Sequence, residues 1–322
     1  MRPIKFLKSL CLYLLIIHGT VAQRISEQKC CEYRRLTASR IGIIPLIAKA
    51  RSVIFEEFTC PTTVKVIAGG EEAQEGEFPH HALLGWESLD YVSVEEYSFR
   101  CGAVLISESY VMTAGHCVVD QGWGNPAVVR LGEYDLHNDN DHHVDFDVQQ
   151  VVRHPNYKGN SVYNDIALVK VKRSVRFSPF IRPACLWTSK SINFTSAIAT
   201  GFGQLGFLTE QATKLNKVTL ELYDASFCNR AFVRNRKFED GVIDSQICAG
   251  SENEKDTCKG DSGGPLQVMI EGNGCMYYVV GLTSRGHDAC GLKSSVALYT
   301  RVSSFVDWIE HVVWEDEVDS WK

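Results

Sequence analysis

Three short segments hold residue types that together could do chemistry. Ser262 stands in Lys259-Gly260-Asp261-Ser262-Gly263-Gly264-Pro265, His116 in Thr113-Ala114-Gly115-His116-Cys117, and Asp165 in Asn164-Asp165-Ile166-Ala167-Leu168. A serine hydroxyl is a weak nucleophile until a base takes its proton. A neutral imidazole can do this, and a carboxylate on its far nitrogen fixes the tautomer and steadies the imidazolium. Glycines on both sides of Ser262 allow the backbone to turn and present the hydroxyl.

A glycine-flanked serine is also the mark of α/β-hydrolases, whose acid and histidine follow the nucleophile. After Ser262 the chain offers only Asp288 or Asp307 and His311, without alternating strands and helices. The order histidine, aspartate, serine excludes that reading. The elements around the three segments are short β-type runs: Ala103 to Ile106, Val128 to Leu131, Ile166 to Val171, Val218 to Leu222 and Tyr277 to Leu282. Many such runs separated by turn residues predict an all-β barrel or sandwich. One helix is predicted at the end, where Phe305, Trp308, Ile309, Val312 and Val313 recur at helical steps.

The 322 residues are 45% hydrophobic and 22% charged, enough for a sizeable core, and the net charge of −6 gives no support for nucleic-acid binding. Residues 1–22 read as a signal peptide: Arg2, Lys5 and Lys8, the apolar Leu10 to Ile17, then Thr20-Val21-Ala22 before a cut at Gln23. The apolar run is too short to span a bilayer, so secretion to the extracellular space is expected, without a membrane anchor. Twelve cysteines fit an oxidising compartment, and eleven remain once Cys11 leaves with the signal peptide. Asn193-Phe194-Thr195 is a glycosylation sequon. Residues 23–66 are basic and lack a sustained helical or strand period; they read as a pro-segment ahead of a catalytic domain over 67–322.

The chain resembles the trypsin-like serine proteases of the chymotrypsin fold, and the match covers Ile67 to about Trp314. The resemblance implies two six-stranded antiparallel β-barrels with a C-terminal helix. It implies His116 as general base, Asp165 as its orienting carboxylate and Ser262 as nucleophile. The backbone N–H groups of Gly260 and Ser262 would form the oxyanion hole. Gly115 stands where the family usually has alanine, a small change expected to be tolerated. Ile67-Ala68-Gly69-Gly70 resembles the family's mature start, so cleavage of Val66–Ile67 would free an ammonium that pairs with Asp261. Because Val66 is apolar, the upstream activating protease is expected to prefer apolar residues.

Asp256, six residues before Ser262, matches the base of the family's specificity pocket and implies cleavage after lysine or arginine. Ser284, Gly286 and Ala297 match its walls. Arg285 stands where tryptophan is usual, which adds positive charge beside the cleft and points to acidic residues before the cut. Ala297 stands where glycine is usual, and its methyl is expected to favour lysine.

The resemblance pairs Cys101 with Cys117, Cys228 with Cys248 and Cys258 with Cys290. The residues Arg24 to Cys30, Arg182 to Trp187 and the additional Cys275 resemble the snake-type branch of arthropod clip-domain proteases. On that resemblance Cys60 pairs with Cys185 and Cys30 with Cys275, while Cys31 is left odd or bridges to another molecule. There is no room for a six-cysteine clip module between Gln23 and Cys30. The branch implies a zymogen in an extracellular immune or developmental cascade. Its partners would be a protein substrate (a downstream zymogen or pro-ligand), the activating protease and serpin inhibitors. No cofactor is required. Glu133, Asp139 and Asp141 match a calcium loop in position, but His143 falls where a second glutamate is usual. The alternative function is a catalytically weak homologue serving as a cascade adaptor.

Overall fold

The structure is a computed structural model. It describes residues 23–35, 38–43, 53–58, 70–88, 96–118, 123–138, 142–159, 161–204, 210–232, 237–251, 260–270, 276–286 and 295–315. The first barrel is made by β4 (His81–Glu87), β5 (Tyr97–Leu105), β6 (Tyr110–Thr113), β7 (Val128–Leu131), β8 (Val144–Arg153) and β9 (Ala167–Val171). These close in the order β4-β5-β6-β9-β8-β7. The second barrel uses β11 (Ser196–Gly201), β12 (Asn216–Tyr223), β13 (Gln246–Ser251), β14 (Pro265–Met269), β15 (Tyr277–Arg285) and β16 (Ser295–Arg301). Antiparallel pairing of β15 with β16 closes that ring. The two short strands β3 (Glu71–Glu72) and β10 (Cys185–Leu186) attach to β12 and β15 respectively.

The apolar runs are continuous because many strands are buried on both faces. In β5, Ala103 and Leu105 enter the core of the first barrel, while Val104 joins a second cluster with Val279 and Leu282 of the other barrel. Val111 and Met112 of β6 divide in the same way, as period-two alternation requires. The C-terminal helix, Val306–Val313, seats Ile309 in this second cluster with Phe305, Trp308, Val312 and Val313 around it. The stripe read from the sequence is the docking face of the helix.

The region ahead of residue 67 is more ordered than its sequence implied. It contains α1 (Ile25–Arg34) and a hairpin of β1 (Ala38–Ile43) and β2 (Val53–Phe58). Two further helices in chain order are α2 (Ala225–Ala231) and α3, the C-terminal helix already described. Helix α1 is weakly amphipathic, and its contacts with the barrels hold it. Glu310 of α3, largely buried, accepts hydrogen bonds from the Ser26 hydroxyl (2.6 Å), the Ser26 N–H (3.2 Å) and the Arg24 guanidinium (3.1 and 3.3 Å). Tyr33 donates to Glu108 and packs edge-on against Phe177.

The disulfides correct two expected pairings. Cys30 bonds to Cys185, with Cα atoms 5.1 Å apart, because α1 lies against β10. The Cys60–Cys185 and Cys30–Cys275 pairings are therefore both excluded, and Cys60 and Cys275 lie outside the described residues. Cys31 is disulfide-bonded too, so it is not the odd thiol that was expected. Cys101–Cys117 and Cys228–Cys248 form as expected. Cys258 and Cys290 are outside the described residues.

Candidate active site

His116 and Asp165 come from the same end of the first barrel's antiparallel β6–β9 pair, where Thr113 faces Ala167. His116 lies in a short 3-10 turn, Gly115–Val118, just after β6, and Asp165 lies two residues before β9. Asn164 has φ of 55°, the left-handed region that asparagine tolerates better than other non-glycine residues. The turn there brings the Asp165 carboxylate beneath His116.

Three donors converge on this carboxylate. Oδ1 accepts the His116 backbone N–H at 2.8 Å, and Oδ2 accepts the His116 Nδ1–H at 2.8 Å. The Ser284 hydroxyl donates to Oδ2 at 2.5 Å. Thr300 also donates to the Asp165 backbone carbonyl at 2.8 Å, so both barrels hold the same residue. Asp165 is only 2% exposed. The fixed Nδ1–H leaves Nε2 as the nitrogen able to accept a proton. Burial pulls the basicity of His116 down, but the charge and hydrogen bond of Asp165 outweigh it and hold the pKa above the usual histidine value. Arg285 and Lys237 act in the opposite direction, as neighbouring cations oppose the imidazolium.

Ser262 sits in a turn that glycines make possible. Gly260 and Gly263 have φ of 100° and 76°. A Cβ on Gly263 would lie 2.1 Å from Thr113 Oγ1, so only glycine fits there. The turn is fastened to both barrels: Gly102 N–H donates to the Ser262 carbonyl at 2.8 Å, and Gly263 N–H to the Thr283 carbonyl at 2.8 Å. The neighbouring Asp261 is buried and accepts the Gly203 N–H at 2.8 Å. Side chains at Gly201 or Gly203 would collide with its carboxylate. Ile67, its expected partner, lies outside the described residues.

Of the remaining site residues, Ala297 is wholly buried on β16, Ser284 is buried on β15 and Gly286 follows β15. Asp256 is outside the described residues. Asn193 is exposed on the connection between β10 and β11. Glu133, one of the expected calcium donors, is engaged by protein donors through both carboxylate oxygens. Its Oε1 accepts the Tyr134 and Asp135 N–H groups, and its Oε2 accepts Arg130, which also binds Asp145 through two nitrogens at 2.8 Å. Asp139 and Asp141 are outside the described residues.

A model of the family described as Trypsin matches residues 67–309. The chain belongs to the trypsin family. It is 36% identical over 300 residues to serine protease snk of Drosophila melanogaster, covering 92% of this chain and 66% of that protein. It is 37% identical to the Spaetzle-processing enzyme of the same fly, covering 76% of this chain and 65% of that protein. It is 35% identical to phenoloxidase-activating factor 3 of Holotrichia diomphalia, covering 77% and 72%. The chain thus spans just under two thirds of the length of the two fly proteins. Among solved structures it is similar to neuropsin, a serine protease expressed in the limbic system of mouse brain. That likeness has a TM-score of 0.62 at 26% identity and covers 76% of this chain and 99% of neuropsin.

Two features of the site were not legible in the residues alone. Ser284 was expected only as a pocket wall, yet its hydroxyl is a third donor to Asp165. Gly115 was expected to be a neutral replacement. A Cβ there would come 2.9 Å from the Tyr157 ring and 3.2 Å from Asp165 Oδ1, so the glycine makes room for Tyr157 beside the carboxylate.

Proposed function

We propose that this chain is a secreted zymogen whose activated form cleaves protein substrates after lysine or arginine within an extracellular cascade. The observation that carries the catalytic part is the set of three hydrogen bonds on Asp165, which fixes His116 Nδ1 as the donor and makes Nε2 the basic nitrogen. In this reading His116 takes the Ser262 proton as the hydroxyl attacks the scissile carbonyl. His116 then returns the proton to the leaving amine, and water repeats the sequence on the acyl-enzyme. The N–H groups of Gly260 and Ser262 stabilise the oxyanion as it forms. Asp165 keeps its charge throughout and steadies the imidazolium.

Specificity rests on Asp256, six residues before Ser262, whose carboxylate would meet a basic side chain at the bottom of the pocket. The methyl of Ala297 narrows that pocket and favours lysine. Activation rests on Ile67: the new ammonium would enter the pocket where Asp261 already lies against Gly201 and Gly203. Partners are the activating protease, a downstream zymogen or pro-ligand, and serpin inhibitors. The cascade role is supported by the names of the Spaetzle-processing enzyme and phenoloxidase-activating factor 3, both above a third identical. The signal peptide over 1–22 and glycosylation at the exposed Asn193 complete the secreted reading.

The test is to cleave the purified chain at Val66–Ile67 and assay peptides that differ only in the residue before the cut. Hydrolysis after lysine, slower hydrolysis after arginine and none after leucine or phenylalanine is the expected pattern. Cleavage only after apolar residues would refute the assignment of Asp256. Failure of a fluorophosphonate to label Ser262 in the cleaved protein would instead favour an adaptor without catalytic activity.

A further inference from the structure

The short strand that follows residue 67 is held by charge as well as by backbone. In β3, Glu71 pairs with Lys217 of β12 and Glu72 with Asn216. On their other side the same two β12 residues pair with Thr200 and Gly201 of β11. Glu72 therefore lies two strand spacings, about 10 Å, from Gly201. Gly201 in turn touches the Asp261 carboxylate, since a Cβ there would come 1.9 Å from Oδ1. Each acid of β3 meets a lysine. Lys217 Nζ lies 3.0 Å from Glu71 and donates to both oxygens of the buried Glu77 at 2.7 and 2.9 Å. Lys214 donates to Glu72 at 2.9 Å. Tyr134, three residues after β7 of the first barrel, donates to the same Glu72 oxygen.

Backbone bonds gather the three segments. Ala73 N–H donates to the Leu215 carbonyl at 2.8 Å, and Leu215 N–H to the Tyr134 carbonyl at 2.9 Å. Burial pulls the Lys217 ammonium down, but Glu77 and Glu71 outweigh it and hold its pKa above the usual lysine value. The Tyr134 hydroxyl and the Lys214 ammonium hold the Glu72 carboxyl below its usual range. Lys217, Lys214 and Glu72 are thus all charged at neutral pH. Chain length gives these contacts a consequence. Glu71 stands four residues after Ile67, a span of at most about 14 Å. The way from β3 across β12 to Gly201 takes about 10 Å of it. The slack is about one residue's rise along a strand, so a slip of β3 by one residue would consume most of it.

We propose that Lys214 and Lys217 are positioning residues for activation: by clamping Glu72 and Glu71 they fix β3, and so set how firmly the amino terminus freed at Ile67 stays beside Asp261. This rests on the activation reading above and adds to it what holds the terminus in place. The lysines touch neither substrate nor Ser262 and act only through that terminus. The clamp also joins the two barrels, because Tyr134 of one and Lys214 of the other meet on a single carboxylate. Each partly exposed acid–lysine contact contributes about two- to fivefold to the ratio of seated to released terminus. Lys217 has a second duty, since the buried Glu77 needs its charge. The acids of β3 are therefore the side of the clamp to change.

The test takes the full chain cut at Val66–Ile67 and treats it with cyanate, which carbamylates exposed amines. Mass spectrometry of the digested protein then reads the Ile67 amine and each lysine separately. In the wild type the Ile67 amine is expected to react far more slowly than a free peptide with the same first residues. Glu71→Gln and Glu72→Gln should each speed its reaction about two- to fivefold, and together about five- to twentyfold, with lysines outside the clamp unchanged. Glu72→Lys should release the terminus further, and Lys214→Glu added to it should restore protection, because the pair re-forms with its charges exchanged. An unchanged Ile67 rate in the Glu71→Gln, Glu72→Gln protein would overturn the proposal. So would an equal rise at every slowly reacting lysine, which marks general loosening of the fold and not release of the terminus. A wild-type Ile67 amine as reactive as the free peptide would remove the activation reading itself, whereas a protected amine indifferent to the variants would remove only the clamp.

Discussion

Acid should loosen this fold through two buried histidines at the start of β4. His80 is 1% exposed and His81 5%, and burial pushes their pKa values down to about 4 and about 3. His80 pairs with Gln267 Oε1, Gln267 Nε2 donates to Thr200 Oγ1 at 3.3 Å, and His81 Nδ1 lies 3.1 Å from the same oxygen. Both rings are thus neutral in the native state over the ordinary pH range. In the unfolded chain each takes up a proton near pH 6.5. The unfolded state therefore binds more protons, and native stability falls as pH drops from about 6.5 toward the two native values. Between pH 7 and about pH 5 each histidine should cost about 2 kcal/mol, or about 4 kcal/mol together.

Urea denaturation with disulfides intact, at several pH values across that range, measures the effect. The His80→Phe, His81→Gln double variant removes both titrations and keeps an amide to meet Thr200. Its stability should decline less steeply with acid than the wild type by up to that amount. Carboxylates titrate mainly below this window and are common to both proteins. Parallel stability–pH curves for the two would refute the reasoning, since they would mean that neither histidine is neutral and buried in the native state.

Other substitutions probe the site and its supports. Asp165→Asn should leave the fold intact and lower kcat by about 10⁴-fold, because an amide favours the wrong imidazole tautomer; peptide hydrolysis measures it, and a loss under tenfold would contradict the role. Gly115→Ala should cost about 1–3 kcal/mol through crowding against Tyr157, and Tyr157→Ala should relieve much of that cost in a double-mutant cycle. Lys217 contacts Glu77 at 2.7 Å and Glu71 at 3.0 Å, with its side chain only 10% exposed. Lys217→Met would strand the buried Glu77 carboxylate and should cost about 3–5 kcal/mol by thermal or urea denaturation. Chelation with EDTA should leave the melting temperature unchanged, because the Arg130 guanidinium supplies the positive charge at Glu133; a rise in melting temperature on adding calcium would overturn this.

The two parts of the chain differed in how far their residues alone revealed them. The strands β5, β7, β9 and β15 were visible because burial of most of their residues makes them largely apolar runs, and β12 because Val218, Leu220 and Leu222 alternate with polar residues. His116, Asp165 and Ser262 were visible because each sits in a short segment whose neighbours serve the same chemistry. Helix α1 was not visible, since its order comes from Glu310 and Cys185, which are distant in sequence. The Cys30–Cys185 bond was missed for a related reason. Disulfide partners are chosen by Cα separation and side-chain direction, which spacing along the chain does not record. The second role of Ser284 depended on the strand register, and the value of Gly115 depended on where Tyr157 folds back. Each is a fact of approach between segments and not of residue type.

The bond from Cys30 to Cys185 has a consequence for how activation could be observed. A cut at Val66–Ile67 breaks the chain between that tether and the catalytic body, so no fragment containing α1 diffuses away. The product would migrate at nearly the precursor's size on a non-reducing gel and separate into two bands only after reduction. Activation would then leave no soluble fragment for another molecule to detect. Any downstream reader of the event would have to recognise the enzyme's changed surface or its catalytic output.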